Sequence, residues 1–328
     1  MSYSGIASLQ WYFTGLFNYG SWGYRKSSKK WAQTPLDDLS SNHYIVTGAN
    51  SGIGFAIATK LAQLGANVHL VCRNPSRAQT AREEILSLTH TDANKVIVHI
   101  ADLSKQNDVK ALAAELSSAV PVVHGLINNA GFLTHQATFT EDDVESTMAI
   151  AINGTYLLTA LLLPQLAKSN GVGRVINMSS GGQYLGTLDP NDVRGKTRVE
   201  KFDGTLAYML AKKTQVALTQ CFAKRFPLDK SNVVFHAVNP GWATTPGTEA
   251  GIPTFNKIHG FMMRTPEEAA DTVVWLATAK EPATSSGFFW MDRQQVSTEM
   301  SWANTAPSSE DVEQLWSNVV EICGYENE

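Results

Sequence analysis

Apolar positions along this chain follow two rhythms that take turns. Short β-branched runs at residues 44–47, 67–72, 95–100, 122–128, 174–178 and 233–238 read as strands. Between them lie stretches with helical apolar spacing, at 55–64, 75–88, 144–167 and 206–226. Gly65 stops the first of these helices. A further helix opens at Thr265, with Pro266 at its first position and Glu268 three residues after the cap. Strands alternating with helices of ten or more residues imply right-handed crossovers and a parallel sheet. The expected fold class is therefore α/β, a Rossmann-type doubly wound parallel sheet in one domain with an N-terminal arm. The expected division is an arm at 1–42, a cofactor-binding domain at 43–300 and a C-terminal tail at 301–328.

Composition narrows the classes. Over 328 residues, 43% are hydrophobic and 17% charged, too apolar for a disordered chain. A net charge of -4 does not suit a phosphate-backbone binder, so no nucleic-acid partner is expected. Cys72, Cys221 and Cys323 are odd in number and far apart, which predicts neither a disulfide framework nor a metal site and points to a reducing, cytoplasmic compartment. The apolar run at 156–163 is too short to span a membrane and stops at Pro164, so it reads as a buried helix.

The arm differs from the rest. Trp11, Tyr12, Phe13, Phe17, Tyr19, Trp22 and Tyr24 precede Arg25, Lys26, Lys29 and Lys30. Basic residues after the apolar ones, with no clear small-residue cleavage site, do not match a secretory signal. Two readings stand: an arm that packs on the domain, or a peripheral membrane contact with rings at headgroup level and lysines facing anionic lipid.

Between the first strand and first helix lies Thr47-Gly48-Ala49-Asn50-Ser51-Gly52-Ile53-Gly54. Gly48 permits a tight turn, Gly52 close approach to a pyrophosphate, and Gly54 close packing of helix on strand. The helix N-terminus beyond offers unpaired N–H groups to phosphate. At the end of the second strand stands Cys72-Arg73-Asn74, with Arg77 close behind and no acid between residues 71 and 81. An acidic side chain there would bind a ribose 2′-OH, whereas arginine grips a 2′-phosphate, so NADP(H) is expected over NAD(H). Tyr208 and Lys212 are four apart in a helical stretch and share a face, where the ammonium can ease ionisation of the phenol.

The TGxxxGIG turn, Asn128-Asn129-Ala130-Gly131, Ser179-Ser180, the Tyr208/Lys212 spacing and Asn239-Pro240-Gly241 together resemble the short-chain dehydrogenase/reductase family over about residues 43–290. Phe202-Asp203-Gly204-Thr205, residues 239–247, and Phe288-Phe289 with Asp292-Arg293 and 296–298 look like its dehydrogenase/reductase member twelve subgroup. The resemblance implies a hydride transfer between nicotinamide and a carbonyl or alcohol substrate, most often apolar. It implies Ser180, Tyr208 and Lys212 as the catalytic group, with Ser179 as a turn-forming hydroxyl beside it. It implies cofactor contacts from Gly48, Asn50, Ser51, Gly52, Ile53, Gly54, Arg73, Asp102, Leu103, Asn129, Ala130, Gly131, Tyr208, Lys212, Pro240, Gly241, Trp242 and Thr245. Asp102 could also be the N-cap of the next helix. A homo-oligomer is the family's usual state.

Two features depart from the family. Ala151 stands where an asparagine normally kinks the long helix and holds a water that links the lysine to solvent. Either proton relay is weakened, or Asn153 or a neighbouring carbonyl holds that water through a local distortion. If relay fails, the alternative function is a cofactor-binding sensor with little turnover. The second departure is the 27-residue separation of Ser180 from Tyr208, which resembles the retinol-dehydrogenase-like branch and predicts a loop over the substrate pocket. Two sequons, at Asn153 and Asn177, fall inside predicted core elements, so glycosylation is not expected.

Overall fold

The computed structural model describes residues 5–31 and 38–327. Eight strands form one sheet: β1 (His43–Thr47), β2 (Asn67–Cys72), β3 (Val96–Ile100), β4 (Gly125–Asn128), β5 (Gly173–Met178), β6 (Val233–Val238), β7 (Phe288–Met291) and β8 (Gln294–Val296). Their order is β3-β2-β1-β4-β5-β6-β7-β8. All pairings are parallel except β7 with β8. The order reverses between β1 and β4, and a crevice opens there beyond the strands' carboxyl ends, the usual ligand position in such sheets.

The helices in chain order are α1 (Gly5–Asn18), α2 (Ser21–Ser28), α3 (Gly52–Gln63), α4 (Pro75–Thr89), α5 (Gln106–Ala119), α6 (Ser146–Ile152), α7 (Thr159–Leu166), α8 (Gly204–Arg225), α9 (Leu228–Ser231), α10 (Pro246–Gly251), α11 (Pro253–His259), α12 (Pro266–Thr278) and α13 (Ser309–Cys323). The two faces of the sheet carry separate cores. Helices α5 to α8 cover one, around Leu116, Leu126, Tyr156 and Phe222. Helices α3 and α12 cover the other, around Ile57, Leu61, Val273 and Leu276. The inner strands β1, β2, β4, β5 and β6 are buried on both sides, which is why they read as largely apolar runs rather than alternations. The cap at Thr265 forms as its sequence predicts: Glu268 N donates to Thr265 Oγ1 (3.2 Å) and Thr265 N to Glu268 Oε2 (3.3 Å).

The stretch read as one long helix at 144–167 is three pieces. Between α6 and α7, Asn153–Leu158 winds as a π-helix. Ser146–Leu166 is long and apolar enough to cross a membrane, but most of it is buried inside this protein. The expected tail is no appendage: α13 places Leu315, Trp316 and Val319 in the core beside Tyr156 and Phe222. The long segment after Ser180 packs against the body of the protein, with Leu185 on the wall of an apolar cleft. Leu188 and Val193 are buried, Asn318 Nδ2 donates to Pro190 O (2.6 Å), and Arg194 O accepts from Glu145 N (2.9 Å). Cys72, Cys221 and Cys323 are buried and unbridged, and burial pushes their thiols up to about 11, 11 and 12.

Candidate active site at the carboxyl edge of the sheet

The turn after β1 is shaped by its glycines. Gly48 and Gly52 take φ of +66° and +55°, a region costly for any residue with a Cβ. Ser51 precedes α3 without a side-chain cap, so the first N–H groups of that helix take no acceptor from it. Thr245, the N-cap of α10, lies over the turn: a Cβ on Gly52 would sit 3.1 Å from its methyl group. The result is a cradle of backbone donors, the right shape for a pyrophosphate. Thr47 stitches it to β4. Its hydroxyl accepts from the N–H groups of Asn129 (3.0 Å) and Ala130 (2.9 Å), while Asn129 Nδ2 donates to Thr47 O (2.8 Å).

Arg73 and Arg77 are exposed just past β2, and Gly48 N donates to Val71 O (2.8 Å), which sets the pair beside the cradle. Asp102 does not cap a helix as expected. Helix α5 starts only at Gln106, and the Asp102 carboxylate instead accepts from Ser104 N (3.0 Å) and Ser104 Oγ (2.8 Å). Leu103 is buried in the core. Trp242 also departs from the expected cofactor face. Its indole lies under the arm, with ring centres 5.5 Å from Trp11 and 4.9 Å from Phe255.

Helix α8 brings Tyr208 and Lys212 to the same crevice. Asp203 starts it by accepting from Thr205 N (2.9 Å) and Leu206 N (3.2 Å). Ser180, which leaves β5, lies beside the Tyr208 side chain. Burial holds that phenol above its ordinary value, and the neighbouring Ser180 hydroxyl works against the shift. Ser179 is more than a turn residue: its hydroxyl donates to Lys212 O (2.9 Å) and fixes the helix to the strand.

Lys212 is only 4% exposed, and its ammonium lies 5.4 Å from the Tyr208 ring centre. It donates to Met178 O (2.7 Å) and to Gln215 Oε1 (2.8 Å). Burial pushes its pKa down to about 7. Gln215 Nε2 in turn donates to Thr155 Oγ1 (2.9 Å), inside the π-helix. Next to these groups is a cavity of about 10 Å³ bounded by Gly131, Thr147, Ala151, Tyr208, Lys212 and Gln215, close to the volume one water needs. Neither Gln215 nor Thr155 was anticipated from the sequence. The usable signal for Gln215 was its place three residues after Lys212, on the same face of α8.

Arg264 was also missed. It is 2% exposed and joins three parts of the molecule. Its guanidinium pairs with Asp292 through Nη1–Oδ1 (2.6 Å) and Nη2–Oδ2 (3.0 Å). It also donates to Pro240 O (3.2 Å) in the loop after β6 and to Asn18 O (2.9 Å) at the end of α1. Gly241, at φ +81°, lets that loop turn tightly against Arg264. Asn153 and Asn177, the two sequon asparagines, are buried.

The chain belongs to the short-chain dehydrogenase/reductase family, whose short chain dehydrogenase domain matches residues 42–188. It is 36% identical over 310 residues to human dehydrogenase/reductase SDR family member 12, covering 94% of this chain and 95% of that one. It is 33% identical to human retinol dehydrogenase 13, over 86% and 84% of the two chains. Among solved structures, a Mycobacterium paratuberculosis protein superposes with a TM-score of 0.70 at 24% identity, over 90% of this chain and 98% of that one. A Shigella flexneri short chain dehydrogenase complexed with NADP superposes at 0.61 and 23% identity, over 79% and 100%.

Proposed function

We propose that this protein is an NADP(H)-preferring oxidoreductase that interconverts an apolar ketone or aldehyde with its alcohol. The observation that carries this reading is the convergence of Ser180, Tyr208 and Lys212 on the crevice that also holds the glycine cradle. A dinucleotide fits the cradle by its chemistry: N–H groups at the uncapped start of α3 for the pyrophosphate and Arg73 for a 2′-phosphate. Lys212 Nζ donates to Met178 O and Gln215 Oε1, and when protonated, as the charge of a bound cofactor would favour, it keeps a third N–H that suits a ribose hydroxyl.

Nicotinamide, when bound, supplies or takes the hydride. The chain's own residues handle the oxygen and the proton. In reduction, Tyr208 donates its phenolic proton to the substrate oxygen while the Ser180 hydroxyl hydrogen-bonds that oxygen and fixes its direction. Lys212 stabilises the phenolate that remains. The cavity beside Ala151 gives room for the water that returns the proton, so the missing asparagine does not by itself argue for a silent sensor. An apolar cleft of about 410 Å³ is lined by Leu9, Trp11, Tyr12, Leu185 and Met209, and its link to the proposed catalytic group is Met209, which follows Tyr208 on α8; this supports an apolar substrate.

The test is a screen of ketones, aldehydes and alcohols with each nicotinamide cofactor, followed by absorbance of the reduced form. Tyr208→Phe keeps the ring and removes the proton, so NADPH binding should persist while turnover falls at least about a hundredfold. A variant that retains most of its turnover would refute Tyr208 as the acid.

A further inference from the structure

Helix α1 is fastened to the protein on one side only. Its inner face is tied down: Trp11 Nε1 donates to Gly181 O (2.7 Å), Tyr12 OH bonds His259 Nε2 (3.0 Å), and Gly15 lies flush on Trp242. Its outer face carries Ile6, Leu9, Phe13 and Phe17, all exposed. These positions fall within one narrow arc of the helix, the reverse of the usual polar outer stripe. The neighbouring elements extend the same surface. Trp22 stands out from α2, Ile258 from α11, and Phe261, 80% exposed, from the turn after it. The Tyr12–His259 bond sets those last two beside α1. Trp302 joins them, held by Trp302 N donating to Gln10 Oε1 (3.0 Å).

Within residues 5–31 the charge is of one sign, although Arg25 is partnered by Glu268 of α12 (3.6 Å). Residues 5–31 contain Arg25, Lys26, Lys29 and Lys30 and no acidic side chain, in a chain whose net charge is -4. All four are exposed, and Lys257 adds another exposed cation beside Ile258. Exposed rings and aliphatic side chains flanked by cations match the layered chemistry of an anionic bilayer surface, apolar below and negative at the headgroups.

We infer that the outer face of α1, together with Trp22, Ile258, Phe261 and Trp302, seats this protein on an anionic phospholipid surface as a peripheral contact. The apolar cleft is bounded by α1 itself, with Leu9 on one wall and Met209, the residue after Tyr208, on another. A substrate dissolved in the bilayer would thus enter beside the docked helix. This last clause rests on the proposed apolar substrate; the docking does not.

The experiment is flotation of the full-length protein with vesicles of phosphatidylcholine alone or mixed with phosphatidylserine. The expected result is binding to the mixed vesicles, weakened by added salt. Phe13→Ser/Phe17→Ser and Lys26→Glu/Lys29→Glu/Lys30→Glu should each lower the bound-to-free ratio by about tenfold or more. Because these side chains are exposed, the melting temperature should stay unchanged, which separates lost docking from lost fold. Full-length protein that stays off both vesicle types, or Phe13→Ser/Phe17→Ser that binds as well as the parent, would overturn the inference. So would light scattering that shows a dimer abolished by the same pair with no vesicle binding, since the patch would then bury itself against a second copy. None of these readouts depends on turnover, so an inactive enzyme that floats would fail only the functional reading.

Discussion

Burial of Lys212 makes a quantitative demand on the stability of the ligand-free protein. An exposed lysine titrates at 10.5, and burial lowers this one to about 7. Between those values the unfolded chain holds the proton and the folded chain does not. Stability must therefore rise with pH across that window, and the penalty is largest below pH 7. At about 1.36 kcal/mol per pH unit, the full shift corresponds to roughly 5 kcal/mol. From pH 6 to pH 9.5 the accessible part is about 3 kcal/mol. Lys212→Met removes the titrating group. It also strands Met178 O and Gln215 Oε1, at a cost that does not depend on pH. The difference between the two proteins thus isolates the lysine, because every other group titrates in both. Urea unfolding of both proteins at several pH values reads it directly. The parent should gain about 3 kcal/mol on Lys212→Met between pH 6 and 9.5, with most of the slope between pH 7 and 9.5. Parallel pH profiles would show that Lys212 keeps its proton in the fold, and the reasoning from burial would fail.

Three further outcomes are expected. Ala151→Asn fills the small cavity beside Lys212; it should cost about 1–3 kcal/mol of stability and lower turnover rather than restore it, as thermal melts and steady-state rates would show. Arg264→Leu leaves Asp292 charged and buried, so urea unfolding should report a loss of about 3–5 kcal/mol, much of it recovered in Arg264→Leu/Asp292→Leu. Arg73→Asp replaces a phosphate partner with a repelling charge; titration calorimetry should show the NADPH-to-NADH affinity ratio fall at least about tenfold.

Six strands were legible in the chain to within a few residues, because strands covered on both faces are mostly apolar and the edge strand β3 keeps a β-branched run. Their alternation with helices fixed the sheet as parallel, and the glycine turn marked the cradle, since few other residues tolerate its backbone. Spacing alone also put Tyr208 and Lys212 on one helix face.

What the chain did not reveal depends on partners distant in sequence. Strand β7 exists because residues 288–290 find the edge of β6, and α13 is core rather than tail because Trp316 meets Tyr156 and Phe222. Trp242 sits in a motif expected at the cofactor, yet its ring is taken by α1, more than two hundred residues upstream. The π-helix after Ala151 has no pattern of its own; it is read only where Thr155 meets Gln215 from another helix. The arm shows the division most plainly. Its aromatic and basic composition was visible from the start, but both readings of it stayed open until packing assigned Trp11 and Gly15 to the protein and left Phe13 and Phe17 outside. Local rules decide which residues form a helix; which face of that helix is covered is decided by what the rest of the chain brings to it.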